Sequence, residues 1–237
     1  MRKIITMFST LLLIALLSTA TGYAQVDVST GGPATSYPDL SSAFAAINAG
    51  THTGAIAIGI SGNTTEAVSA VLNASGTGSA SYSSIMITPT GGASRTISGA
   101  VTGHLIDLNG ADNVTINGLN SGGNALIISN AATGASNAIR FFGDATGNLV
   151  TNCALQGSGS SAGNGVVLFS GGTVSGNDNN TISYCNIGPA GANLPLNGIY
   201  SMGTSTEIDN SSNSIVMNQI FDYYNASSST SGLNINS

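Results

Sequence analysis

Basic side chains are scarce in this sequence, which has four Lys and Arg residues against ten Asp and Glu residues. Two of the four, Arg2 and Lys3, stand at the N-terminus. Binding to nucleic acids and to anionic membrane surfaces depends on Lys and Arg side chains that neutralise phosphate groups. The charge balance therefore excludes both classes of partner from our expectations, and we predict no nucleic-acid binding.

Tryptophan is missing altogether, and charged residues make up only 6% of the chain. The solvated faces of helices usually carry Glu, Lys and Arg, so this composition disfavours a helical protein. Gly, Ser, Thr and Asn are abundant instead, and they suit turns and the outer faces of strands. Because short clusters of Ile, Val and Leu recur along the chain, the composition favours an all-β fold over disorder.

The first 24 residues have the pattern of a secretory signal. The apolar stretch Ile4–Leu17 follows the basic pair, and small residues lead to Gly22 and Ala24. Signal peptidase requires small side chains at these two places, and the apolar stretch is shorter than the roughly 20 residues of a membrane span. We therefore predict that residues 1–24 are removed by cleavage between Ala24 and Gln25. The mature chain would have no membrane span and would be secreted or held at the cell surface.

Residues 25–54 are predicted to form an N-terminal cap that contains one short helix. Asp39 is in position to cap the helix, and Gly50 is a natural stop. The apolar residues between them have the spacing of one helix face: Leu40, Ala43, Phe44 and Ile47. After the cap, Ile at every second position in 55–60 predicts a half-buried strand.

A repeated unit is visible from about residue 104 onwards. Four copies, 112–119, 148–155, 180–187 and 213–220, start 36, 32 and 33 residues apart. The units share apolar third and eighth positions and have Asn or Cys at the sixth. The predicted interior columns are Val114, Val150, Ile182 and Ile215; Asn117, Cys153, Cys185 and Asn218; and Leu119, Leu155, Ile187 and Ile220.

A period of this size indicates a solenoid, and units rich in Gly and Asn do not fit helical repeats. Coils of about 33 residues with two or three short strands predict a right-handed parallel β-helix over residues 55–237. An antiparallel sandwich is the alternative fold, but it does not explain why residue types recur at one offset. The last residues open a new unit, so we expect an uncapped, incomplete C-terminal end and further domains of the same polypeptide.

A family likeness is carried by three segments: Tyr37–Gly54, Asp107–Leu119 and Asn179–Gly188. They resemble the N-terminal region of large exported parallel β-helix proteins of Gram-negative bacteria, in the pectate-lyase-like superfamily. The resemblance implies that the short helix plugs the open end of the β-helix. It does not imply an activity, because the superfamily contains lyases, hydrolases, adhesins and passive stalks.

Cys153 and Cys185 are the only cysteines. Export favours a disulfide. If the two residues lie in adjacent coils, however, their Cβ atoms are about 4.8 Å apart, beyond the usual 3.5–4.5 Å of a disulfide. We therefore expect a buried ladder of two free thiols, with a disulfide bridge as the alternative.

Catalytic and metal sites have few candidates. Related lyases hold Ca²⁺ with carboxylates and use a nearby Arg or Lys as the base, which the resemblance makes relevant here. Arg140 should point outward from its strand, with Asp107 on the preceding equivalent strand as its neighbour, although a surface salt bridge explains the pair equally well. Glu207 and Asp209 are close enough to share a Ca²⁺ ion, although solvated turn residues are the simpler interpretation.

Three kinds of function are compatible with these features. The first, which we favour, is an exported structural or adhesive module without catalysis of its own. The second is a polysaccharide lyase or hydrolase, which needs carboxylates grouped with an acid or a base. The third is a carbohydrate-binding surface built on exposed aromatic residues, for which the candidates are Tyr184, Tyr200, Tyr223 and Tyr224. The expected partners are polysaccharides or other cell-surface components.

Overall fold

The computed structural model describes residues 24–224, 226 and 228–236. These residues form a β-solenoid of about six turns with one helix near the N-terminus. The strands of successive coils pair in parallel, so the predicted parallel β-helix is confirmed and the antiparallel sandwich is wrong. The predicted signal peptide lies outside the described residues, apart from Ala24 beside its cleavage point.

Each coil contributes one strand to each of three sheets. Sheet I contains β1 (Val26–Ser29), β2 (Thr35–Tyr37), β3 (Gly54–Ile60), β6 (Tyr82–Pro89), β9 (Val114–Asn117), β12 (Leu149–Thr151), β15 (Thr181–Ser183) and β18 (Ser214–Val216). Sheet II contains β4 (Thr64–Glu66), β7 (Ser94–Gly99), β10 (Ala125–Asn130), β13 (Cys153–Gly157), β16 (Asn186–Pro189) and β19 (Gln219–Ile220). Sheet III contains β5 (Ala70–Asn73), β8 (His104–Asn109), β11 (Asn137–Phe142), β14 (Val167–Phe169), β17 (Asn197–Met202) and β20 (Ser231–Asn236). Among the strands of the described residues, β1 alone pairs antiparallel, with β2 and β3.

The helix α1 (Leu40–Asn48) packs against the first coil, mainly on β5. Asp39 caps it as predicted, because its carboxylate accepts a hydrogen bond from the Ser42 amide at 2.7 Å. The four residues of the predicted apolar face are all fully buried. Gly50 has a φ of 77°, a left-handed conformation that favours glycine after a helix. Within the described chain, no helix has the length and apolarity that crossing a membrane requires.

The first predicted column is correct only in the later coils. Val150, Ile182 and Ile215 stack in register. The residue stacked beneath Val150, however, is Ile116, whereas Val114 stacks on Ile85 of the preceding coil. The predicted position of Val114 is therefore wrong by two residues.

The column of eighth positions deviates in the same coil. Leu155, Ile187 and Ile220 stack as predicted, but their partner in the third coil is Ile128. Leu119 instead lies half-buried in a turn with a φ of 64°, so its predicted interior place is wrong. The physical reason is the corner between sheets I and II, which takes residues 118–124 in the third coil and only one or two residues in the later coils.

The sixth-position column is interrupted at the same corner. Cys185 and Asn218 are neighbours, since the Asn218 side-chain oxygen accepts the Cys185 amide at 2.9 Å. Cys153, however, stacks on Leu126 of the third coil. Asn117, the last residue of β9, lies beside Thr151, the last residue of β12, instead, so its predicted place in this column is wrong.

Ladders of asparagine side chains join the corners of successive coils. The Asn148 amide group donates to the Ala111 carbonyl at 2.8 Å, while its oxygen accepts from the Val114 amide at 2.9 Å. Asn180 repeats this arrangement one coil further on. Its amide group donates to the Ala145 carbonyl, and its side-chain oxygen accepts from the Asn148 amide. Such bonds remove the cost of burying amide groups. Among the described residues, no buried side-chain nitrogen or oxygen atom lacks a hydrogen-bond partner.

Candidate functional site

The predicted pair Asp107 and Arg140 lies on neighbouring strands of sheet III, directly in register. The Arg140 guanidinium donates to both carboxylate oxygens of Asp107, at 2.9 and 2.7 Å, and lies over the Phe142 ring at 4.4 Å from its centroid. The predicted proximity of the two residues is therefore confirmed. Because Asp107 is buried and both of its oxygens accept from Arg140, the pair is held as a bidentate ion pair. A catalytic role for either residue stays a prediction.

A histidine completes this cluster at the start of β8. The His104 Nδ1 atom lies 2.6 Å from the side-chain oxygen of Asn137. Burial and the positive charge of Arg140 lower the pKa of His104 below its ordinary value. Sheet III thus carries an imidazole in register with Asn137, three residues before the ion pair of Asp107 and Arg140.

The predicted calcium ligands lie in a loop after β17. Glu207 is exposed, and its carboxylate accepts a hydrogen bond from the Ser205 hydroxyl at 3.1 Å, while Asp209 is half-buried. A groove of about 310 Å³ lies beside the loop, but its lining includes neither carboxylate. In the described part of the chain, no three His, Cys, Asp or Glu side chains come together in a way that could hold a metal ion. Calcium binding by Glu207 and Asp209 stays a prediction.

The two cysteines lie in adjacent coils as free, buried thiols. The neighbouring Cys185 thiol and burial raise the pKa of the Cys153 thiol. Each thiol donates to the backbone carbonyl two residues before it in the chain, that of Thr151 for Cys153 and that of Ser183 for Cys185. This is the arrangement of the expected thiol ladder.

A buried carboxylate that the sequence analysis did not identify fastens the cap to the first coil. Glu66, 2% exposed, accepts hydrogen bonds from the Leu40 amide at 3.0 Å and the Ser41 amide at 2.9 Å. The Thr64 hydroxyl donates to the same carboxylate at 2.8 Å. The first N–H groups of a helix have no partner within it, and a carboxylate is a favourable acceptor there. An acidic residue at an inward strand position was the available signal.

A second unexpected carboxylate holds a loop near the later coils. Asp144, with a φ of 71°, accepts hydrogen bonds from the amides of Thr173, Val174, Ser175 and Gly176 at 2.9 to 3.1 Å. The Thr173 hydroxyl donates to it as well. Burial acts to raise the pKa of Asp144, but these hydrogen bonds outweigh it and hold the pKa well below its ordinary value. The carboxylate therefore acts as the centre of the loop.

Comparison with known proteins finds no matching family model, no matching curated protein and no matching solved structure.

Proposed function

We propose that this chain is an exported structural or adhesive β-helix module that spaces or presents other parts of a secreted or cell-surface protein. The main support is the way in which its polar groups are used. Asn148 and Asn180 bind the backbone of neighbouring coils, Glu66 binds the cap, and Asp144 binds a loop. Side chains that join one coil to the next suit a rigid rod whose purpose is mechanical.

Export is the second part of the proposal. It is supported by the signal pattern of residues 1–24 and by the position of Gln25, the expected first residue after cleavage. The Gln25 amide donates to the Tyr37 carbonyl at 2.8 Å, and its own carbonyl accepts from Ser61 at 2.8 Å. The predicted cleavage point thus leaves every residue of β1 in the mature protein.

Membership of the pectate-lyase-like superfamily is the third part. It is supported by the parallel three-sheet coil and by the helix at its N-terminal end, which are the features that the resemblance implied. The expected partners are polysaccharides or other cell-surface components.

Expression with the complete N-terminus in a Gram-negative host tests export. Mass spectrometry of the extracytoplasmic protein should show a chain that begins at Gln25. A chain that keeps residues 1–24 and stays in the cytoplasm would contradict export.

The absence of catalysis is tested by incubating residues 25–237 with acidic and neutral polysaccharides, with and without Ca²⁺. Release of unsaturated or reducing ends would contradict a purely structural role.

A polysaccharide lyase or hydrolase is the second candidate, and the cluster of His104, Asp107 and Arg140 is the observation that favours it. If the protein cleaves a polysaccharide there, Arg140→Ala should abolish cleavage. Arg95→Ala is the matched control, because Arg95 is the other arginine of the mature chain and binds only the Thr90 carbonyl. Equal activity of the two variants would place any catalysis elsewhere.

A further inference from the structure

The corner between sheets I and II carries bulky side chains where the backbone favours a small polar residue. Asn152, Tyr184 and Met217 occupy equivalent places in three successive coils, with φ values of 56°, 53° and 55°. Asparagine tolerates this left-handed conformation, whereas a tyrosine or a methionine is strained in it. Tyr184 is nevertheless 60% exposed and Met217 is 75% exposed, so neither is there to fill the core.

A second aromatic side chain lies further along the same face of sheet II. Phe221 follows β19, and its ring lies over Gly188, at which an added Cβ atom would be 2.6 Å from the ring carbons. Phe221 keeps 39% of its surface exposed. Glycine at position 188 therefore leaves room for the Phe221 ring on the outer face of the sheet, four residues along the strand from Tyr184, which is about 13 Å of backbone at 3.3 Å per residue.

Three side-chain amides lie around the two rings. Asn186 and Gln219 are in register on adjacent strands, and Gln156 is in register with Gly188. Asn186 and Gln219 are exposed, and Gln156 is half-buried. None of the side-chain hydrogen bonds between described residues involves these three amides, in contrast to Asn148 and Asn180, which join coils. Their donors and acceptors are directed to solvent or to a ligand.

The outward rows of sheet II, within the described chain, carry no charged side chain. Two rows of outward side chains run from Asn186 and Gly188 towards the N-terminal end of sheet II. They consist of Ala154, Ile127 and Thr96 in the first row, and of Gln156, Ser129, Ser98 and Thr65 in the second. An anionic ligand would meet no basic side chain on these rows, and the exposed carboxylate of Asp222, directly after Phe221, would also repel it. A neutral ligand with many hydroxyl groups matches both the amides and the absence of charge on these rows of the described chain.

We propose that the outer face of sheet II between Tyr184 and Phe221 binds neutral oligosaccharides. A sugar ring has an apolar face that stacks on an aromatic side chain, and hydroxyl groups around its edge that exchange hydrogen bonds with amides. The separation of the two rings suits a short oligosaccharide rather than a single sugar. This inference names the ligand of an adhesive module, and it rests on the proposed function to that extent.

The test uses purified residues 25–237 and isothermal titration with four probes: neutral β-1,4-linked hexasaccharides of glucose, mannose and xylose, and an anionic hexasaccharide of galacturonic acid. At least one neutral probe should bind, and the anionic probe should bind more weakly. Failure of all three neutral probes to bind at millimolar concentration would overturn the proposal, as would preferential binding of the anionic probe.

Two variants locate the binding on this face. Tyr184→Asn should weaken binding about tenfold, the effect of one lost aromatic contact, without loss of folding, because Asn152 occupies the equivalent corner. The double variant N186A/Q219A should weaken binding at least as much. Tyr200→Ala, on sheet III, is the control and should bind as the unchanged protein does.

Unchanged affinity in both sheet II variants would overturn the site. Because the assay uses the purified protein, a failure here leaves export and the structural role standing. A failure of export, conversely, leaves the binding result standing.

Discussion

The two ends of the solenoid differ in how they treat their inward side chains. At the N-terminal end, Leu40 and Phe44 of α1 have no exposed surface. At the other end, Leu233 of β20 stacks in register with the fully buried Ile199. Leu233 is nevertheless 43% exposed, and Ile235 in the same strand is 61% exposed.

The comparison shows that an inward direction is not the same as burial in a solenoid. Each coil covers one side of its neighbour, so an inward side chain is fully buried only when something stacks on both sides of it. The helix α1 does this for the first coil, and Glu66 fastens it there. The last described coil has a neighbour on one side only.

The largest expected effect comes from the same substitution at the two ends. Leu40→Ala should destabilise the protein by about 2–5 kcal/mol, because it removes a fully buried side chain and leaves a cavity. Leu233→Ala should cost about 1 kcal/mol, because much of that side chain already meets solvent. Urea unfolding followed by circular dichroism measures both. Equal losses would contradict the difference that we draw between the ends.

The fastening of the cap is the next test. Glu66→Ala leaves the amides of Leu40 and Ser41 without their acceptor, and we expect a loss of about 2–3 kcal/mol. Glu66→Gln keeps one acceptor oxygen and should lose less. Hydrogen exchange at the two amides reports the opening of the cap directly. Unchanged protection in Glu66→Ala would show that apolar packing alone holds the helix.

The loop around Asp144 should show a smaller and local effect that depends on pH. The pKa of Asp144 is lowered by folding, so its ionised form stabilises the loop above the unfolded value near 3.8. That contribution is lost as the pH falls below this value and approaches the lower folded pKa. Hydrogen exchange of residues 173–176 should therefore stay slow at pH 4. In Asp144→Asn the exchange should be faster, and the protection should not depend on pH in this range. Equal protection in both proteins would contradict this role.

For the two thiols in the middle coils we expect no change in stability when a reductant is added. Because Cys153 and Cys185 pack as free side chains, adding a reductant should not move the unfolding midpoint. Unfolding without reductant should expose two titratable thiols per chain. A chain that shows no thiol under these conditions contains the disulfide, and the ladder would then be wrong.

Much of the local structure could be predicted from the sequence. The helix was predicted because Asp39 and the apolar spacing after it act within a few residues. The ion pair of Asp107 and Arg140 was predicted because both lie at the same place of one repeat. The predicted positions of Val114 and Leu119 were wrong by two and nine residues, because the third coil has a longer corner between sheets I and II. The roles of Glu66 and Asp144 were not predicted, because their partners are remote in the chain.

The sequence by itself determined that the chain is all-β, that it repeats, and which side chains of each strand share a face. These properties follow from composition and from the two-residue period of a strand, which are local. Only the tertiary structure decided which residues stack on one another and which amides on sheet II are left without a partner. The stacking partners and the free amides both depend on how many residues each corner contains. The length of a corner sets the register of one coil against the next, which exists only in the folded solenoid.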